Sequence, residues 1–195
     1  ERGTVANIDY SGLNADLTVT PTVTTINRYS AKALGGTVSG SGTMEPKISK
    51  FDISSKIEDV NLAEYFKYKA PALTDVLAGR ITADVNIAGQ GKQWEEIAKS
   101  LTGDGNALVI EGSLLNMNIA NQIFSGIQGI PTVPANLTER MQARNPKLFA
   151  SNKTVFENLS SKFTIANGRI IAPDLKLSTS DFALNGDGWF SLAKE

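Results

Sequence analysis

The chain has 195 residues, 41% hydrophobic and 20% charged, with a net charge of −1. That is enough for one domain with its own core, burying about 70% of its extended-chain surface, and too neutral for the basic footprint of a nucleic-acid binder. Cysteine and histidine are both absent, which excludes thiol nucleophiles, Cys/His zinc sites and Ser-His-Asp triads built from this chain alone.

Residues 4–10 and 15–26 are rich in Thr, Val and Ile and predict extended chain, with Ser11-Gly12 as the turn between them and Pro21 marking an edge strand or bulge. A strand at 37–44 leads through Pro46 into 51–58, where apolar and polar residues nearly alternate. A short helical pattern spans 62–69, and a second spans 72–77 after Pro71 and is stopped by Gly79. The clearest strand is 80–88, with Ile81, Ala83, Val85 and Ile87 on one face and Thr82, Asp84 and Asn86 on the other. A helix over 92–101 places Trp94, Ile97, Ala98 and Leu101 in one stripe that should lie against the sheet.

Residues 106–111 predict another strand, Gly112 a turn, and 115–128 a helical stretch with Ile119, Ile123 and Ile127 on one side, broken into a loop by Gly126, Gly129, Pro131 and Pro134. The locally basic span 137–149 reads as a loop or one helix. Three strands follow at 155–166, 169–178 and 182–192, separated by Asn167-Gly168 and by Thr179-Ser180-Asp181; Asn-Gly between two apolar-periodic runs is a strong hairpin signal. Together these elements predict a β-rich α+β fold, a curved and mainly antiparallel sheet, groove or half-barrel like, with a few short helices. No run approaches the ~18 apolar residues of a membrane span. The opening Glu1-Arg2-Gly3-Thr4 carries neither a signal-peptide pattern nor an initiator Met, so the chain reads as a segment of something longer, with any anchor or export signal upstream.

One short pattern recurs: an amphipathic strand closing on a Gly-x-Gly, as in Ser39-Gly40-Ser41-Gly42, Ala88-Gly89-Gln90-Gly91, Thr102-Gly103-Asp104-Gly105 and Asn185-Gly186-Asp187-Gly188. The spacing is irregular, a loose repeat of one supersecondary unit. None of these glycines stands as Gly-x-x-x-x-Gly-Lys-Ser/Thr, so they read as turns and bulges, not phosphate loops.

The alternating strands put Ile53, Ile57, Ile81, Val85, Ile87, Phe163, Ile165, Leu175 and Leu177 on a candidate apolar face. Two readings compete: ordinary core beneath helices or a second sheet, and an apolar trough left partly open for acyl chains. For any single residue core packing has the stronger prior. Tyr65-Phe66-Lys67-Tyr68-Lys69 reads as a helix end docked on the sheet before a lipid-headgroup contact, and Arg140, Arg144, Lys147 and Lys153 as a solvated loop before an anionic-headgroup site. The carboxylates Asp52, Glu58, Asp59, Asp84, Glu95, Glu96, Asp104 and Glu111 are scattered over predicted polar faces and turns. No catalytic, cofactor or metal residue is assigned. Three Asn-x-Ser/Thr triplets, at Asn136, Asn152 and Asn158, match a glycosylation pattern that chance often supplies.

From about residue 35 to the end, a series in fixed order resembles the C-terminal region of the AsmA family of bacterial envelope proteins, and more distantly TamB. It runs as Leu77-Ala78-Gly79-Arg80-Ile81-Thr82-Ala83-Asp84-Val85-Asn86-Ile87-Ala88-Gly89-Gln90-Gly91, then Ser100-Leu101-Thr102-Gly103-Asp104-Gly105-Asn106-Ala107-Leu108-Val109-Ile110-Glu111-Gly112-Ser113-Leu114. It closes on Thr154-Val155-Phe156-Glu157-Asn158-Leu159-Ser160-Ser161-Lys162-Phe163-Thr164-Ile165-Ala166-Asn167-Gly168-Arg169-Ile170 and Leu184-Asn185-Gly186-Asp187-Gly188-Trp189-Phe190-Ser191-Leu192. The resemblance implies a protein facing the periplasm, held in the inner membrane by a helix outside this segment. It also implies links to outer-membrane biogenesis and lipid homeostasis, with phospholipid or outer-membrane assembly proteins as partners. Residues 1–34 match less well and read as leading strands, the end of a longer β-groove. The competing classes are a β-sandwich-like module recognising a protein or glycan and, more remotely, a hydrolase with a carboxylate pair.

Overall fold

The computed structural model describes residues 2–5, 7–69, 71, 74–127, 132, 134 and 136–192. Ten strands form one antiparallel sheet whose spatial order is the sequence order: β1 (Arg2–Val5), β2 (Ile8–Val19), β3 (Thr24–Ala33), β4 (Gly36–Glu45), β5 (Lys50–Asn61), β6 (Leu77–Gln90), β7 (Thr102–Leu114), β8 (Thr154–Ala166), β9 (Arg169–Ser178) and β10 (Ala183–Ser191). The sheet is open, and five short helices sit in its connections: α1 (Leu62–Lys69), α2 (Trp94–Ser100), α3 (Ile119–Ile127), α4 (Leu137–Arg144) and α5 (Pro146–Ala150).

Turn chemistry sets the register. Asn167 and Gly168 both take positive φ, 53° and 72°, the twist that matches two flanking strands, so β8 and β9 pair from Ala166 against Arg169. Leu34 and Gly35 do the same between β3 and β4. Pro21 lies in the turn between β2 and β3, not in a strand. Ser11-Gly12 is no turn: Gly12, at φ 63°, sits where the β2–β3 register slips between Ser11 and Asn14. The turn that separates the first two strands comes earlier, at Asn7 with φ 68°.

Further register shifts fall between Ile57 and Val60, Ala78 and Arg80, and Ser160 and Thr164. Each extra residue bends its strand and increases the local twist. At the first, Asp59 has φ 57° and accepts from Arg80, whose Nη2 donates to Asp59 Oδ2 at 2.6 Å, to the Asp59 carbonyl at 2.6 Å and to the Gly35 carbonyl at 3.1 Å. One guanidinium of β6 thus fastens the β5 bulge to the β3–β4 turn. The same contact holds the Asp59 carboxyl below its ordinary pKa and raises that of Arg80.

The helix expected at 62–69 forms with those bounds; Asn61 Oδ1 accepts the Glu64 amide at 3.2 Å as its cap. No second helix spans 72–77. Residues 74–76 are a turn, β6 already starts at Leu77, and Ala72 and Leu73 lie outside the described residues. Gly79 is a strand residue at φ 142° opposite the bulge of β7, where Glu111 has φ 50°, and Gly112, expected as a turn, is buried in β7 opposite Phe156. The span 137–149 divides into α4 and α5 at Asn145-Pro146, since the ring of Pro146 cannot continue a helix but starts one well. In α2, Ala98 and Leu101 are buried as the stripe requires, but Trp94 stays exposed, its indole donating to the Leu192 carbonyl at 3.2 Å.

Helix cover is concentrated at one end of the sheet. Leu62 and Phe66 of α1, one turn apart, pack with Val109, Phe156 and Leu177 into the main buried cluster, flanked by Leu77, Ile81, Leu114, Ile119 and Leu184. Buried Asn118 anchors α3 beside it, donating to the Leu148 and Ser151 carbonyls and accepting from the Asn121 amide. At the opposite end α2 lies across the end of β6.

Candidate functional site: an apolar trough

Residues opposite one another in an antiparallel ladder share a face, so the registers can be followed across the sheet. One row runs Leu17, Ile26, Gly42, Ile53, Ile87, Gly103, Ile165, Ile170 and Phe190. The next runs Tyr29, Gly40, Ser55, Val85, Gly105 and Phe163, and the next Ala31, Val38, Ile57, Ala83, Ala107 and Ser161. A fourth, beneath α1, runs Val60, Ile81, Val109, Leu159, Leu177 and Leu184. The apolar face is therefore continuous from β2 to β10.

The other face is polar. Lys56, Asp84, Asn106 and Lys162 stand opposite one another, as do Ser54, Asn86, Asp104 and Thr164. Ser54 Oγ donates to Asn86 Oδ1 at 2.8 Å, and Asn86 Nδ2 reaches Asp104 Oδ2 at 3.4 Å. Asp52, Asp84 and Asp104 thus sit on a hydrated ladder, and among the described residues no three side chains gather into a metal site.

The sheet brings eight of the nine candidate residues into these rows, where they divide by cover. Ile165 and Leu177 are buried, and Ile81 packs against the α1 cluster. Ile53, Ile57, Val85, Ile87 and Phe163 occupy the middle rows and are only half-buried. Leu175 stands opposite Gly186, close to the irregularity between β9 and β10, and is 37% exposed, at the margin of the trough. Toward both sheet edges the lining is barest: Leu17 is 53% and Phe190 56% exposed.

Gly40, Gly42, Gly89, Gly103 and Gly105 belong to this face, which corrects their reading as turns and bulges, whereas Gly91 lies past the end of β6 at φ 150° and Gly186 and Gly188 flank a register shift, as that reading has them. Gly40 and Gly42 of β4, and Gly103 and Gly105 of β7, occupy successive inward positions of straight strand pairing. A side chain there would collide with its neighbours. A Cβ on Gly105 would lie 2.6 Å from Cζ of Phe163, one on Gly89 2.8 Å from Cζ of Phe51, and one on Gly40 2.9 Å from the Tyr29 ring. Phe156 lies likewise on Gly112. Tyr29 crosses Gly40 altogether, its hydroxyl 2.5 Å from Ser55 Oγ on the strand beyond. Gly40, Gly89, Gly105 and Gly112 are thus covered by the ring of a cross-strand neighbour, while Gly42 and Gly103 lie against Ile53 and Ile87. The signal was present in the sequence: in Gly-x-Gly the two glycines fall at the two-residue period of one strand face.

No curated protein and no solved structure matches the chain. The model of the AsmA family matches residues 1–175, which takes in the leading strands as well as the region from residue 35 onward. With nine-tenths of its length inside that match, the chain belongs to the AsmA family, whose members act in the bacterial cell envelope in connection with outer-membrane biogenesis and are not known as enzymes.

Proposed function

We propose that the chain handles lipid without chemical turnover, carrying acyl chains along the half-buried middle of its apolar face at the periplasmic side of the inner membrane. The observation that carries this reading is the apolar face continuous over nine strands, helix-covered near one end and only partly buried between Ile53 and Phe163. Covering a CH₂ from water is worth about 0.8 kcal/mol, so a ~16-carbon chain gains roughly 13 kcal/mol from continuous cover. A trough with a flat glycine-and-ring floor and a hydrated back supplies such cover over its length. Among the described residues no helix is long and apolar enough to cross a membrane.

The test is native mass spectrometry with lipid extraction, on protein exported to a bacterial periplasm. Co-purifying phospholipid is expected, with loss of it in Val85→Glu and Phe163→Glu variants that still fold, and retention in Thr82→Glu on the polar face. Protein that emerges free of lipid and takes up none from added vesicles overturns the reading and favours a scaffold binding protein partners.

A further inference from the structure

An interior pairing gap lies at the start of β8. Leu114, Ser113 and Gly112 of β7 pair with Thr154, Val155 and Phe156, but β9 joins the other side of β8 only from Asn158. Residues 154–157 therefore show β9's side a bare strand edge. Because successive residues in a strand direct their backbone groups to alternate sides, two of these four present an N–H and a C=O there.

A cavity of about 810 Å³ lies along that edge, walled by the α4–α5 corner (Arg144, Lys147 and Leu148 among it) and by the β9–β10 turn at residues 179–182. It straddles the edge: inward-facing Thr154 and Phe156 line it together with outward-facing Val155 and Glu157. An acyl chain lying on the trough would touch only the inward pair. A strand lying beside β8 would touch both. Three cations line the slot, Arg144, Lys147 and Lys153, against two carboxylates, Glu157 and Asp181. Among the described residues none of the three cations forms an ion pair, and Asp181 already accepts from Ser180 Oγ at 3.0 Å.

We infer that this slot takes an extended, acidic peptide segment of a partner protein, which adds to β8 as a short strand and sets its carboxylates against Arg144, Lys147 and Lys153. Main-chain bonds to the free edge supply affinity, and the side-chain pockets above and below the edge supply selectivity. The volume holds about four to six extended residues, in keeping with a small concave site. The inference is independent of whether the trough carries lipid.

The probe is a fluorescein-labelled octapeptide of alternating Val and Glu, followed by anisotropy on the whole chain, with its Val-Lys counterpart as control. Binding of the acidic peptide alone is expected, with about a tenfold or greater loss on methylating the backbone nitrogens of one alternate set of residues and little loss on methylating the other. Arg144→Glu combined with Lys147→Glu is expected to weaken it by a similar factor. The methylated peptides leave the protein untouched, so the test stands even where the double variant fails to fold. Absence of binding, or equal binding by both methylated peptides, overturns the proposal. So does capture of phosphatidylglycerol vesicles, and not peptide, through the same two cations, which makes the slot a headgroup site.

Discussion

The two ends of a single strand face experience different surroundings. Under α1, Val109, Phe156 and Leu177 are closed over by Leu62 and Phe66; a few residues along the sheet, Val85, Gly105 and Phe163 are only partly buried. The residue types hardly differ. What differs is the cover, and the comparison teaches that an alternating strand specifies which side is apolar but not what lies on it. The covered end holds the fold together, and the middle, without helix cover, is the stretch on which the proposed lipid path depends.

Truncation breaks the comparison most sharply. Phe156 is 2% exposed, and Phe156→Ala should cost about 3–5 kcal/mol as lost burial plus cavity. Phe163→Ala, half-buried on the same strand, should cost only about 1–2 kcal/mol. Urea unfolding of both measures it, and equal losses would mean that the middle of the trough is packed core.

Glycines sharpen it next. Gly112→Ala drives a methyl into the Phe156 ring and against the Ala78 carbonyl, 2.8 Å away, for an expected loss of about 1–3 kcal/mol. At Gly186 nothing lies within 4 Å of the added carbon, so Gly186→Ala should be neutral or gain up to about 1 kcal/mol. A shared sign in thermal melts would show that the glycines serve chain flexibility alone, whatever rings lie over them.

The smallest effect is electrostatic. Arg80 lowers the pKa of Asp59, and the Lys162 amide at 2.9 Å with Ser161 Oγ at 3.1 Å lowers that of Asp174. Both stabilising contributions are complete above the ordinary carboxylate pKa near 4 and disappear as pH falls through the lower folded values. Urea midpoints of the native chain and of Asp59→Asn should therefore differ at neutral pH and converge in acid. A gap independent of pH would assign the role of Asp59 to bulge geometry and not to charge. Asp59 is solvent-exposed, which keeps the difference modest.

These contrasts also mark what was legible in the sequence. Alternation gave β5 and β6 their faces, Asn167-Gly168 gave the β8–β9 hairpin, and the 62–69 pattern gave α1 its bounds, because each of those signals is local. The glycines inside β4, β6 and β7 were misread since a strand glycine and a turn glycine look alike until the partner strand is known. It is Tyr29, Phe51, Phe156 and Phe163, distant in sequence or on another strand, that explain them. The slot beside β8 was beyond reach for the same reason: Arg144 and Lys147 gain meaning only from where β9 stops pairing.

Because every strand pairs only with the strands before and after it in the chain, the sheet can grow hairpin by hairpin from any point, with only short loops to close until the stretch between Leu114 and Thr154 must be spanned. The same arrangement makes the molecule extensible. Inserting one hairpin adds two strands and about 10 Å of sheet without exchanging which side is apolar, so length can be altered in pairs of strands while the lining stays unbroken.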